Sequence, residues 1–233
     1  MKQIKRIALA CLGFVLLAAT VNAAPKREKL VDRIVAGEYV LEEIMADPAT
    51  AIPADILQDA QGIIFTLNYR GGIMLGGHAG NGILIAKNPL NQEWGVPAFV
   101  KTGGANIGLQ LGVKEFDAVY VIMDLDTMRK AYSGRFDFGA DAAAVAGPLE
   151  SSREARQSQD YKNAKILVYS NKKGLFAGVA VKAGWVSPDN RATQTFYNTD
   201  YNMPEIVMSD WFDLPVEANA LLQRLNYYTG GGR

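Results

Sequence analysis

Eleven glycines fall between residues 71 and 112, at positions 71, 72, 76, 77, 80, 82, 95, 103, 104, 108 and 112, out of 23 in the whole chain. No stable helix carries that density, because each glycine in a helix interior costs about 1 kcal/mol relative to alanine. The region must therefore form short strands and tight turns. Beside and between the glycines lie β-type apolar runs, Ile63-Ile64-Phe65, Ile83-Leu84-Ile85, Ala98-Phe99-Val100 and Val119-Tyr120-Val121-Ile122.

The glycines also repeat. Gly71-Gly72 is followed by Gly76 and Gly80, and Gly103-Gly104 by Gly108 and Gly112; each pair follows an apolar run and a basic residue, in IIFTLNYRGG and AFVKTGG. A weaker third copy is ILVYSNKKGLFAG, with Gly174 and Gly178. Three copies are too few for a solenoid, so each is expected to be a hairpin of one sheet. A membrane glycine zipper has the same four-residue spacing. Here His78, Asn81, Asn106 and Gln110 interrupt it, and neither segment approaches the length of a spanning helix.

Helical periodicity flanks this region. Leu30, Val31, Ile34, Val35, Val40, Leu41, Ile44 and Met45 recur at three and four residues, predicting an amphipathic helix over 26–45, with a bend or break at Gly37 and a stop at Asp47-Pro48. A short helix is expected from Pro53, another over Leu125–Ala131, and a closing helix over Pro215–Tyr228. The polar stretch Ser151–Lys165 reads as a loop or fraying helix, and residues 230–233 as a disordered tail. The fold class is α+β: glycine-rich antiparallel hairpins forming one sheet or a partly closed barrel, packed with an N-terminal amphipathic helix and a C-terminal helix.

Residues 1–23 have the order of a secretory signal. Lys2, Lys5 and Arg6 precede an apolar run of about 13 residues from Ile7, with small residues at Val21 and Ala23 before the expected cut. The run is short of the roughly 20 residues that span a bilayer. Cys11 lies inside it, not at its end, which argues against a lipoprotein. The expected product is one domain over 24–229, periplasmic or secreted and peripherally associated with membrane. Removing the signal takes the cations from 24 to 21 against 24 carboxylates, and takes the single cysteine with it.

Charge and composition exclude several chemistries. A balanced chain lacks the excess positive charge of a nucleic-acid binder, and one cysteine and one histidine leave no zinc set. The order G-x-G-x-x-G is absent from Gly103-Gly104-Ala105-Asn106-Ile107-Gly108, no G-K-[ST] follows a glycine-rich stretch, and there is no G-x-S-x-G. A hydrolase would have to be built on His78 with Asp137 or Asp141. Asp124 and Asp126 lack the further oxygen ligands of a calcium loop. No cofactor, metal or catalytic residue is assigned, and the chain is expected not to be an enzyme. The mild positive signal is Lys26, Arg27, Lys29 and Arg33 on the first helix, a pattern suited to an anionic lipid surface.

From Ile52 onward the chain resembles the SYLF, or Ysc84-type, domain. The resemblance is carried by IPADILQDAQGIIF at 52–65, GGIMLGGHAGNGILIAK at 71–87, Trp94-Gly95-Val96-Pro97 and GLQLGVKEFDAVYVI at 108–122. It continues through Phe138-Gly139-Ala140-Asp141, Ala146-Gly147-Pro148, YSNKKGLFAGVAV at 169–181, Asn190-Arg191 and Phe196-Tyr197. Thr66-Leu67-Asn68 stands where that family would have a proline-containing turn. The resemblance implies a lipid-binding α+β module without catalytic residues, some of whose eukaryotic members bind actin and carry an SH3 domain. For an exported bacterial member, actin is an improbable partner. The expected role is peripheral binding of anionic phospholipid headgroups at the cell envelope through Lys26, Arg27, Lys29 and Arg33. The alternative is an envelope protein-interaction or assembly module, and a second copy of the chain is a further candidate partner.

Overall fold

The computed structural model describes residues 25–67, 78–104, 117–147, 161, 163–170 and 184–231. Its first element, α1 (Arg27–Ala46), is 20 residues long, with Leu30, Ile34, Gly37, Val40, Leu41 and Ile44 buried along one face. It runs unbroken through Gly37. That residue faces the sheet, where an added Cβ would lie 2.5 Å from Ile83 Cδ1. The glycine lets the helix approach the strand, which offsets its poor helical propensity. After Asp47-Pro48 comes α2 (Ala54–Asp59). The Lys87 ammonium donates to the Leu57 and Gln58 carbonyls at its end, at 3.0 and 2.6 Å.

The strands are β1 (Gly62–Leu67), β2 (His78–Ala86), β3 (Ala98–Gly104), β4 (Ala118–Ile122), β5 (Phe136–Phe138), β6 (Ala144–Ala146), β7 (Ile166–Ser170) and β8 (Gly184–Pro188). Helix α3 (Leu125–Ser133) lies between β4 and β5; α4 (Asn190–Tyr197), α5 (Met203–Val207) and α6 (Asn219–Asn226) follow β8. The eight strands form one sheet in the order β5-β8-β3-β2-β1-β4-β7-β6. Its two edge strands are joined by the short link 139–143. Six residue steps from Phe138 to Ala144 reach at most about 20 Å, whereas the edges of a flat eight-stranded sheet lie about 34 Å apart. The sheet therefore curls into a nearly closed barrel.

Both faces are covered. Ile63, Phe65, Ile83, Ile85, Phe99, Val119, Val121 and Leu167 pack with the apolar stripes of α1 and α6. The alternate residues Ile64, Leu84, Ala98, Val100, Ala118, Ile122, Ile166, Val168 and Val186 pack with Met128 and Ala131 of α3 and Met203 and Val207 of α5. Double-sided burial explains why these strands read as unbroken apolar runs.

The hairpin expectation holds for the first glycine repeat, since β1 and β2 pair antiparallel from Gly62↔Ala86 to Leu67↔Asn81. It fails for the second, because residues 100–104 of β3 are paired to β2 on one edge and to β8 on the other, which leaves no edge for the segment that directly follows them. In the third, β7 pairs with β4 and β6, and the segment 171–183 that would return along it lies outside the described residues. Glycines 71, 72, 76, 77, 108, 112, 174 and 178 lie outside the described residues, as do most of Ser151–Lys165 and all of 1–24. Thr66 and Leu67 form no turn; they continue β1, with Thr66 Oγ1 donating to the Ala118 carbonyl at 3.1 Å. The closing helix is interrupted, a 3-10 turn at Val216–Ala218 leading into α6 and then a π-turn over Tyr227–Gly231. Gly230 and Gly231, assigned above to a tail, thus sit in that last turn, where Gln58 Nε2 donates to the Thr229 carbonyl at 2.9 Å.

Candidate binding surfaces

The first turn of α1 breaks a local rule. A helix N-terminus carries partial positive charge and favours acids, yet Lys26, Arg27 and Lys29 crowd it with only Glu28 among them. Lys26, whose extended backbone forms the N-cap, makes no capping hydrogen bond with its side chain. The structure then divides the four predicted lipid-contacting residues into two pairs.

Arg27 and Arg33 are engaged by the protein itself. Arg27 Nη1 meets Glu217 Oε1 at 2.6 Å, and the guanidinium lies 4.7 Å from the Phe196 ring centroid. The hydrogen bond from Arg27 holds the Glu217 carboxyl below the usual carboxylate range. Arg33 Nη1 lies 3.7 Å from Asp189 Oδ2, and Lys101 Nζ lies 3.6 Å from Asp189 Oδ1. Asp189 is buried and caps α4 by accepting from the Ala192 N–H, while its own N–H donates to the Phe99 carbonyl at 2.8 Å. Thr193 Oγ1, at 3.1 Å, accepts from the Phe99 N–H. Arg33 thus locks α1 to β3 and α4.

Lys26 and Lys29 are exposed and enter no ion pair among the described residues. The apolar face beneath them is not available to a bilayer, since Leu30, Ile34 and Leu41 are fully buried against the sheet. Farther along α1 the outward residues are Asp32, Val35, Tyr39 and Glu43. Glu38 and Glu42 both pair with Arg224 of α6, Glu42 the more closely. The positive surface of the helix is therefore confined to its first turn.

The remaining sequence candidates do not converge. β3 and β8 stand between β2, which begins at His78, and β5, which holds Asp137. Asp137 is gripped by Arg135 at 2.9 and 2.8 Å, its N–H donates to Asp141 Oδ2 at 2.7 Å, and the Arg135 guanidinium stacks 4.6 Å from the Trp185 centroid. Its carboxyl is lowered chiefly by the Arg135 hydrogen bond. Asp124 caps α3 through the Thr127 N–H and hydroxyl, at 2.9 and 2.6 Å, and the hydroxyl bond lowers its carboxyl as well. Asp126 pairs with Arg129. Among the described residues no three His, Cys, Asp or Glu side chains gather as a metal set, and no helix is long and apolar enough to cross a membrane.

Residues 103–228, more than half of the chain, match the family model described as Ysc84, Las17-binding protein actin regulator. The chain belongs to the Ysc84 family. It is 32% identical over 149 residues to LAS seventeen-binding protein 3 of Saccharomyces cerevisiae, covering 63% of this chain and 32% of that one. It is 29% identical over 176 residues to Protein YSC84 of the same yeast, covering 75% and 37%. It is 26% identical over 184 residues to SH3 domain-containing YSC84-like protein 1 of Mus musculus, covering 78% and 53%. The chain spans between a third and about half of these relatives' length. The Ysc84 match begins in β3 and ends just past α6, so the basic turn of α1 lies ahead of it. It does include a surface that sequence inspection missed, residues 200–217, where exposed rings alternate with acids. Its signal was legible, since no Lys or Arg occurs between Ala192 and Gln223.

Proposed function

We propose that this Ysc84-family chain is a non-catalytic module that binds anionic phospholipid headgroups peripherally at the bacterial cell envelope, after export and removal of residues 1–23. The observation that carries the proposal is the first turn of α1. Lys26 and Lys29 are held exposed and without acid partners at a helix end whose free N–H groups add to their field. Arg27 and Arg33 contribute charge from fixed positions but are paired with Glu217 and Asp189 inside the fold. Contact is electrostatic and shallow, because the apolar stripe of α1 is the floor of the core and does not insert. A binding role, not a catalytic one, agrees with relatives named for binding and regulation. Actin is not among the partners proposed, because export separates it from this chain.

Vesicle co-sedimentation tests the proposal. The protein should pellet with phosphatidylglycerol-containing vesicles and not with phosphatidylcholine alone, and raised salt should release it. Lys26→Glu with Lys29→Glu should abolish pelleting while leaving the fold intact. Equal pelleting with both vesicle types, or with neither, would sink the headgroup assignment.

A further inference from the structure

A second surface has the opposite charge. Residues 192–223 contain five carboxylates, Asp200, Glu205, Asp210, Asp213 and Glu217, and no Lys, Arg or His. The chain uses two of them itself. Glu217 pairs with Arg27, and Glu205 Oε2 accepts from the Asn202 N–H at 2.7 Å in a capping box at α5. Asp200, Asp210 and Asp213 are exposed and enter no ion pair among the described residues.

Large apolar side chains stand among these acids. Trp211 is 67% exposed and Val216 75%, with Tyr201, Met208 and Leu214 beside them in the sequence and also exposed. The segment is mounted firmly. Phe212 packs edge-on against Tyr197 at 5.5 Å and Tyr201 at 6.0 Å. The Tyr197 hydroxyl donates to the Pro97 carbonyl at 2.7 Å, just ahead of β3. An exposed tryptophan next to a packed phenylalanine, with an exposed leucine and valine within five residues, is the composition of a contact surface. The acids decide what it contacts. Unneutralised carboxylates beside Trp211 repel an anionic bilayer and complement a cationic partner. The basic first turn of α1 in a second copy of this chain has its apolar face buried against the sheet, so it could not also cover Trp211.

We infer that the surface formed by residues 200–217 docks a cationic amphipathic segment of a protein partner. Lys or Arg side chains of that segment meet Asp200, Asp210 and Asp213, while its apolar side chains cover Trp211, Leu214 and Val216. This surface adjoins the first turn of α1 through the Arg27–Glu217 pair but uses different exposed side chains from Lys26 and Lys29.

The test is fluorescence anisotropy of a labelled amphipathic lysine–leucine peptide titrated with the full chain. Saturable binding is expected, weakened at least about tenfold by Asp210→Lys with Asp213→Lys and by Trp211→Ala. Glu28→Lys with Asp32→Lys makes the same charge change on the exposed side of α1 and should leave the affinity unchanged. A glutamate–leucine peptide should not bind. All five substitutions are at exposed positions, and unchanged thermal unfolding verifies the fold. Absence of binding, no effect of the Asp210, Asp213 and Trp211 variants, or equal weakening by both charge-reversal pairs would overturn the assignment. Loss of self-association or of vesicle pelleting in Trp211→Ala, with peptide binding intact, would do so in favour of a second copy or a lipid surface.

Discussion

The first turn of α1 and the 200–217 segment are joined by the ion pair of Arg27 with Glu217 and carry opposite exposed charges. One is a helix end whose unpaired exposed cations are lysines; the other runs through the short helix α5 and carries exposed aspartates beside Tyr201 and Trp211. A chain with 24 bases and 24 acids looks featureless as a total, yet these two regions carry opposite signs. Net charge therefore says little about what this protein can attract. The local field at each region decides it.

The comparison breaks most severely at Asp189. Replacing it with alanine removes the acid shared by Arg33 and Lys101 and the cap of α4, and should cost about 2–3 kcal/mol in urea unfolding. Asp189→Asn, which keeps a capping oxygen, should cost less; equal losses would show that charge at this position is immaterial. Freed from Asp189, Arg33 would join Lys26 and Lys29, so vesicle binding per folded molecule should rise. Next in size, Gly37→Val should destabilise by about 1–3 kcal/mol, by forcing α1 away from Ile83. That variant should lower the melting temperature without changing the affinity of folded protein for vesicles or peptide, separating the helix as scaffold from its first turn as contact.

Smaller effects probe the junction. Glu217→Gln removes a partly exposed pair and should cost less than about 1 kcal/mol. Because the folded Glu217 carboxyl is held below its unfolded value, its contribution is present above the unfolded pKa. It is lost as pH falls through the folded one. Stability measured from pH 6 to pH 3 should therefore fall more in the parent than in Glu217→Gln; parallel curves would remove this group from the acid response. Smallest of all, Lys26→Glu with Lys29→Glu should leave stability unchanged or raise it by a few tenths of a kcal/mol, since acids suit a helix N-terminus. A clear loss of stability would mean that these lysines hold the fold and are not poised for a ligand.

Much of the scaffold was legible in the sequence because burial writes directly on residue type. The runs at Ile63, Ile83, Phe99 and Val119 are strands, and the stripe from Leu30 to Ile44 is a helix docked by the face its period predicts. Strand partners were not legible. The glycine repeat marks where the chain can turn, but it is blind to β8 taking the free edge of β3 or β6 lying parallel to β7. Gly37 misled for a related reason, because its use depends on Ile83, a distant residue. At the candidate site, the basic residues were visible as a cluster. Their division was not, since Glu217 and Asp189, which claim Arg27 and Arg33, lie far along the chain.

The strand order also imposes a timetable. β3 gains its second neighbour only when Gly184–Pro188 is available, and β5 depends on the same five residues. A growing or translocating chain can form the β1–β2–β3 meander early, but it cannot complete the sheet until its last quarter has emerged. Pairings so distant in sequence are slow to form. Until β8 arrives, β3 keeps an open edge able to recruit strands from other molecules. Truncations that end before Gly184 should therefore yield an association-prone chain, not a smaller working domain.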